Sequence, residues 1–138
     1  MGLAPLRLLV EQKARRSRSA DGDGRTILAV VSDLLIEVRI EAAAQLQGVA
    51  LQTVAAEDAA SHIGDSAHRL VIADLAVVHD LDALAAAARR AGVAIVAFYP
   101  HVATGLRKAA TDAGIDYVYP RSRFLRELPK ILGARLQS

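Results

Sequence analysis

Five residues with polar or charged side chains stand at the ends of apolar runs in the sequence. They are Ser32, Asp33, Asp74, Tyr99 and Arg121. Two carboxylates, two hydroxyls and a guanidinium in one crevice could bind ions or charged ligands. These residues are far apart in the sequence, so whether they meet depends on the elements that carry them.

Sequence signatures of other kinds of chemistry are absent. No G-x-G-x-x-G or G-x-x-x-x-G-K-[ST] motif follows the first apolar run, which argues against dinucleotide and P-loop nucleotide binding. No G-x-S-x-G nucleophile elbow occurs either. The four histidines lack the spacing of a metal site on one helix, and without cysteine no thiolate site is possible. We therefore do not expect an enzyme.

From Thr26 onward, apolar runs of strand length alternate with longer stretches of helical period. Most of these runs are continuously apolar, which is typical of parallel strands that are covered on both faces. The predicted strands are Ile27–Val31, Ala50–Val54, Leu70–Asp74, Val93–Tyr99 and Tyr117–Tyr119.

Between the strands, apolar side chains recur at helical spacing, which gives each helix one face to bury. Gly48, Gly92 and Gly114 each follow a helical stretch, where a positive φ ends a helix at little cost. Ser122 is predicted to begin a turn, and Pro129 stands early in the final helix. The predicted stripes are Ile36, Ile40 and Ala43, then Leu81, Leu84, Ala85 and Ala88, then Val102, Leu106, Ala109 and Ala113; a short second helix spans Glu57–Ile63, and the final helix passes Ile131 and Leu132 and ends near Leu136.

The order of strand and helix predicts an α/β fold. Right-handed crossovers place such units in an open parallel sheet with helices on both faces. We predict five strands in the flavodoxin-like order 2-1-3-4-5. In such sheets the functional crevice lies beyond the carboxyl ends of the strands, where the strand order reverses. That edge would bring the five polar residues together.

The chain of 138 residues has room for one domain. Residues 1–24 are predicted to form a basic N-terminal arm that ends in a turn-prone DGDG linker, and residues 25–138 are the predicted domain. No apolar run is long enough to span a bilayer, and no convincing signal peptide is present. We therefore expect a soluble cytoplasmic protein.

The sequence after the linker resembles the receiver domain of bacterial response regulators. Asp33 follows the first strand, Asp74 ends the third, and Ala113-Gly114 precedes the fifth, as in that family. Arg121 stands in the position of the family's lysine, and Phe124 resembles the aromatic residue after it. The resemblance implies two-component signal transduction or a phosphorelay, with Asp74 as phospho-acceptor and Mg²⁺ held by Asp33 and Asp74. The PHV…AG…PRSRF ending is also similar to that of stand-alone bacterial receiver-like proteins.

Three departures from the family pattern predict an impaired pocket. Ser32 stands where the family has a second acid, so we expect a lower affinity for Mg²⁺. Tyr99 replaces a small hydroxyl residue, and the planar fork of Arg121 is not equivalent to a lysine ammonium. A direct ion pair between Arg121 and Asp74 would imitate a neutralised acceptor.

Structural roles are open alternatives for the same side chains. Asp74 could cap the loop that follows its strand, and Asp33 could be the N-cap of the first helix. Tyr99 could be a packed aromatic residue, and His101 an exposed loop residue.

We predict a pseudo-receiver that acts by protein contact. Residues 107–138 carry a net charge of +4, which would suit an acidic protein partner or a homodimer. One alternative is a working receiver that is phosphorylated on Asp74 with Mg²⁺, and another is a small ligand in the crevice. Nucleic-acid binding by the basic run 13–18 is disfavoured because no base-reading motif accompanies it. The predicted partner face consists of Arg107, Lys108, Arg123, Arg126 and Lys130.

Overall fold

A five-stranded, all-parallel sheet forms the centre of the molecule, and the computed structural model describes residues 26–65 and 67–136. The strand order β2-β1-β3-β4-β5 confirms the predicted flavodoxin-like order 2-1-3-4-5. Because all the strands are parallel, their carboxyl ends meet at one edge of the sheet. The strands are β1 (Thr26–Val30), β2 (Ala50–Thr53), β3 (Leu70–Asp74), β4 (Ile95–Tyr99) and β5 (Tyr117–Pro120).

Six α-helices cover the two faces of the sheet within the described residues, and a 3₁₀ turn at Ala56–Asp58 precedes the second of them. The Asp80 carboxylate begins the third helix, since its Oδ1 accepts a hydrogen bond from the Ala83 N–H at 2.9 Å. Gly92 ends that helix in the left-handed region at φ 70°, as predicted from its position. The helices are α1 (Leu34–Leu46), α2 (Ala59–Asp65), α3 (Leu81–Ala91), α4 (Thr104–Asp112), α5 (Arg121–Arg126) and α6 (Leu128–Leu136).

Two apolar clusters, one on each face of the sheet, form the core. The first contains the inner faces of α1, α5 and α6, and it holds Phe98 of β4 against Phe124 of α5. The second contains residues of α2, α3 and α4, and it is rich in alanine. Every residue of β1, β3 and β4 is buried, which explains why these strands are apolar throughout except at Thr26 and Asp74.

Several predicted boundaries were wrong, and the largest difference concerns α4. This helix begins at Thr104, so Val102 lies before it and is 90% exposed. Ala110 is the buried residue of this helix, where Ala109 was predicted. β4 begins at Ile95, because the Val93 N–H bonds to the Ala88 carbonyl and still belongs to the end of α3.

The segment after β5 also differs from the prediction. A turn was expected at Ser122, but Arg121–Arg126 form the short helix α5. Pro129 does stand early in α6, as predicted. Within the described residues, no helix is long and apolar enough to cross a membrane.

Candidate functional site

Asp74 ends β3 at the carboxyl edge of the sheet, in register with Phe98 of β4. Its side chain is buried, at 4% exposure. The carboxylate Oδ1 accepts a hydrogen bond from the Ala76 N–H at 2.9 Å, and the Asp74 carbonyl accepts one from the Val77 N–H at 3.1 Å. The carboxylate therefore caps the loop after β3, which was the structural alternative for this residue. No sequence feature predicts that Ala76 is its partner.

Asp33 lies after β1 and is the N-cap residue of α1. Its Oδ1 accepts hydrogen bonds from the Leu35 N–H at 2.9 Å and from the Ile36 N–H at 3.3 Å. Such bonds satisfy N–H groups that have no partner inside the helix. The N-cap role is therefore confirmed, and Ser32 and Asp33 are both exposed to solvent.

Tyr99 ends β4, but its side chain packs into the apolar core. It is 5% exposed and belongs to the cluster on the α3 and α4 side of the sheet. Side chains alternate along a strand, and Asp74 follows Leu70 and Ile72, which face the other cluster. The structure therefore places the Tyr99 ring among core residues and away from the face on which Asp74 continues.

Arg121 begins α5 immediately after β5 and is half-buried. Its Nε atom is buried, and no described residue accepts a hydrogen bond from it. An ion pair between Arg121 and Asp74 is not formed among the described residues. Arg121 therefore brings an unpartnered donor to the same edge of the sheet without neutralising the acid.

The donor set of this edge does not match a dedicated magnesium site. Mg²⁺ prefers oxygen ligands in near-octahedral geometry and usually keeps several waters. The described residues contain no group of three Asp, Glu, His or Cys side chains that could hold a metal ion. Asp33 and Asp74 each have one carboxylate oxygen engaged by backbone N–H groups, and Ser32 adds no charge.

The predicted basic face lies around the edge strand β5, which both α4 and α5 contact. All five of its residues are exposed. Lys108 Nζ lies 2.8 Å from Asp112 Oδ2, and Arg123 Nε lies 3.0 Å from Glu127 Oε2. Within the described residues, no ion pair engages Arg107 or Lys130.

Glu127 belongs to this face and was not predicted from the sequence. It pairs with Arg123 and also lies 3.7 Å from Arg126 Nη2. The i,i+4 spacing of Arg123 and Glu127 in the sequence is the signal that could have revealed the first pair. The basic run 13–18, which was considered for nucleic acid, lies outside the described residues.

Comparisons by sequence found no match, neither to a protein-family model nor to a curated protein. Solved structures do match. A receiver domain protein described as CheY-like, from Methanospirillum hungatei, is 18% identical; the match covers 82% of this chain and 94% of that one, with a TM-score of 0.69.

Two further matching structures are described as magnesium-bound and as phosphorylated. The receiver domain of a sensor histidine kinase from Pseudomonas aeruginosa, with magnesium coordinated in its active site cleft, is 22% identical; the match covers 83% and 99% of the two chains, with a TM-score of 0.69. A phosphorylated cyanobacterial phytochrome response regulator is 14% identical over 81% and 94%, with a TM-score of 0.66. Together with the strand order, these matches show that the chain has the fold of the response-regulator receiver domains.

Proposed function

We propose that this chain is a receiver-like signalling module that acts by contact with protein and does not depend on magnesium-assisted phosphorylation of Asp74. The observation that carries the proposal is the role of Asp33. It is the one acid after β1, and its Oδ1 is engaged in capping α1. The fold supports a receiver role, and the pocket residues support the loss of its chemistry.

Aspartyl phosphorylation makes demands that this edge of the sheet meets poorly. The incoming phosphoryl group brings negative charge toward a carboxylate, and a bound metal ion and a cation normally offset that charge. Here two carboxylates replace the usual three, and a guanidinium replaces an ammonium. With Tyr99 held in the core, the small hydroxyl that would follow the phosphoryl group is also missing.

The basic face supplies the contact surface in this proposal. Arg107 on α4 and Lys130 on α6 are exposed cations that no described acid pairs with. Charge of one sign on a protein surface steers and selects partners of the opposite sign. An acidic protein surface is the favoured partner, and a homodimer through the same face is the second possibility.

Phosphoryl mimicry tests the pocket directly. Amide NMR spectra are recorded with millimolar Mg²⁺ and then with beryllofluoride, with Asp74→Ala as control. We expect no shifts at Asp33, Asp74 or Arg121 in either condition. The variant Ser32→Asp restores the missing acid, and we expect it to gain Mg²⁺-dependent shifts at Asp33. Shifts in the natural sequence that vanish in Asp74→Ala would contradict the proposal.

A working receiver is the second candidate, and the buried Nε of Arg121 favours it. An unpartnered donor at the same edge of the sheet as the buried acid could bind an oxygen of a phosphoryl group at Asp74. This candidate predicts beryllofluoride shifts in the natural sequence without Ser32→Asp. The same NMR series therefore separates the two functions.

Charge reversal tests the contact face. We expect Arg107→Glu combined with Arg126→Glu to abolish self-association or retention on an acidic protein surface, measured by sedimentation velocity and on a column of immobilised acidic protein. Arg90→Glu is the matched control, because Arg90 is an exposed arginine of α3 that does not belong to this face. Equal behaviour of the two variants would show that the basic face is not the contact surface.

A further inference from the structure

The outer face of α1 is unusually apolar for a helix surface. Leu34, Leu35, Val38 and Leu46 are 66%, 76%, 53% and 80% exposed. On a helix of 3.6 residues per turn they fall on one side, opposite the buried Ile36, Ile40, Ala43 and Ala44. This helix therefore presents apolar side chains to the core and to solvent.

The exposure is concentrated on this one helix. Of the five large apolar side chains that are exposed among the described residues, four belong to α1 and the fifth is Val102. Apolar side chains scattered singly over a surface are normal, whereas a contiguous exposed group indicates a site of contact. The outer face of α1 is thus a surface for packing, separate from the basic face.

We infer that residues 3–10 of this chain pack on the outer face of α1. Leu3, Leu6, Leu8, Leu9 and Val10 make this segment mostly apolar, so packing on the outer face of α1 would remove apolar side chains of both partners from water. Arg7 is the one charged residue among them, and its long side chain can reach solvent from such a contact. This contact would form whether or not Asp74 is phosphorylated.

The connecting segment is long enough for this contact. Residues 11–25 could span about 50 Å when extended, at about 3.3–3.6 Å per residue. The thirteen residues of α1 measure about 20 Å along the helix axis. Thr26 is in register with Ala50, which follows the end of α1, so the segment leaves the sheet near Leu46.

Charge favours the same placement. Glu37 and Glu41 lie on α1 beside its apolar face. The segment that follows residues 3–10 is basic, with Lys13, Arg15 and Arg16. Opposite charges on the two segments would orient them and add a modest stabilisation, since exposed ion pairs contribute little.

A second copy of the chain is a less favourable occupant of the outer face of α1 than residues 3–10. One face of α1, about 20 Å long and about 10 Å wide, offers about 200 Å². A stable interface between separate proteins buries about 800 Å² on each partner. A segment of the same chain loses less entropy on association, because its effective concentration is already high. An area that is too small for a dimer is therefore sufficient for an intramolecular cover.

The chain contains no cysteine, so a spin label can be attached at one position through Ala4→Cys. Amide NMR spectra of the full-length, isotope-labelled chain are compared with the label oxidised and reduced. We expect the amides of α1 to lose intensity, and those of α3 to keep it. Leu35→Lys with Val38→Lys should abolish this loss, whereas the matched control Val102→Lys should retain it. Leu6→Gln with Leu9→Gln should abolish it from the other side of the contact, without changing the folded domain.

Three results would overturn the inference. Full intensity at α1 would show that residues 3–10 lie elsewhere and that the face is open to another protein. The second result comes from a mixture of isotope-enriched chains without a spin label and spin-labelled chains. An equal loss of amide intensity in that mixture would assign the outer face of α1 to a second copy. A loss that survives Leu35→Lys with Val38→Lys would show that the contact does not use the apolar face. None of these outcomes bears on the beryllofluoride experiment, so the two proposals fail independently.

Discussion

The stacked pair of Phe98 and Phe124 determines how firmly α5, which carries part of the basic face, is held to the sheet. Both rings are fully buried, their centroids are 4.5 Å apart and their planes differ by 17°. Such a pair contributes about 0.5–1.5 kcal/mol beyond the area that it buries. Truncation of either ring to alanine would cost about 3–5 kcal/mol. Because a whole domain is stable by only about 5–15 kcal/mol, leucine is the better probe.

A double-mutant cycle isolates the stacking energy. Phe98→Leu, Phe124→Leu and the double variant are unfolded with urea, followed by circular dichroism. We expect a coupling free energy of about 0.5–1.5 kcal/mol, with an unchanged dependence on urea concentration. The matched control combines Phe98→Leu with Ile63→Val, because Ile63 lies in the cluster on the other face of the sheet. Those two changes should add to within about 0.5 kcal/mol. A Phe98–Phe124 coupling no larger than that of the control would mean that the rings contribute only their buried area.

Two further predictions concern local backbone energetics, and both are measured as changes in the free energy of unfolding. Asp33→Ala should lower the free energy of unfolding by about 1 kcal/mol because the α1 N-cap is lost, whereas Asp33→Asn should retain most of the capping energy. An equal loss in both variants would point to the charge rather than the cap. Gly114→Ala should destabilise, because Gly114 has φ 95° and an added Cβ would lie 3.0 Å from Arg89 Nη2. Gly105→Ala, inside α4 with open space around it, should stabilise by up to about 1 kcal/mol, and a change of the same sign at both glycines would contradict the expectation.

The strands and their order could be predicted because burial on both faces leaves a direct trace in the sequence. A strand such as Leu70–Asp74 is covered by helices on both sides, so the residues before its terminal acid must all be apolar. The phase of α4 could not be predicted. Alanines at 109, 110 and 113 can each face a core, and the packing of the helix against the sheet decides which of them is buried.

The sequence predicted part of the candidate site, but it did not predict the burial of Tyr99 or the bonds of the carboxylates. Topology alone brought Asp33, Asp74 and Arg121 to one edge of the sheet. Which carboxylate oxygens are already bonded depends on loop geometry, which no residue spacing encodes. The Ala76 N–H that bonds to Asp74 is an example, since any residue type except proline could have supplied it.

The burial of Tyr99 sets a condition for any conformational switch at this edge. Removing a large apolar side chain from the core costs about 1.5–3 kcal/mol, and Tyr99 is 5% exposed. A ligand shifts a conformational equilibrium only by its difference in affinity for the two states, and a nearly complete switch needs about 5.5 kcal/mol. On the proposed function, a phosphoryl group at Asp74 that had to move Tyr99 would have to supply both free energies without the help of a strong metal site. The proposed function therefore predicts one constant conformation, with regulation through access to the basic face.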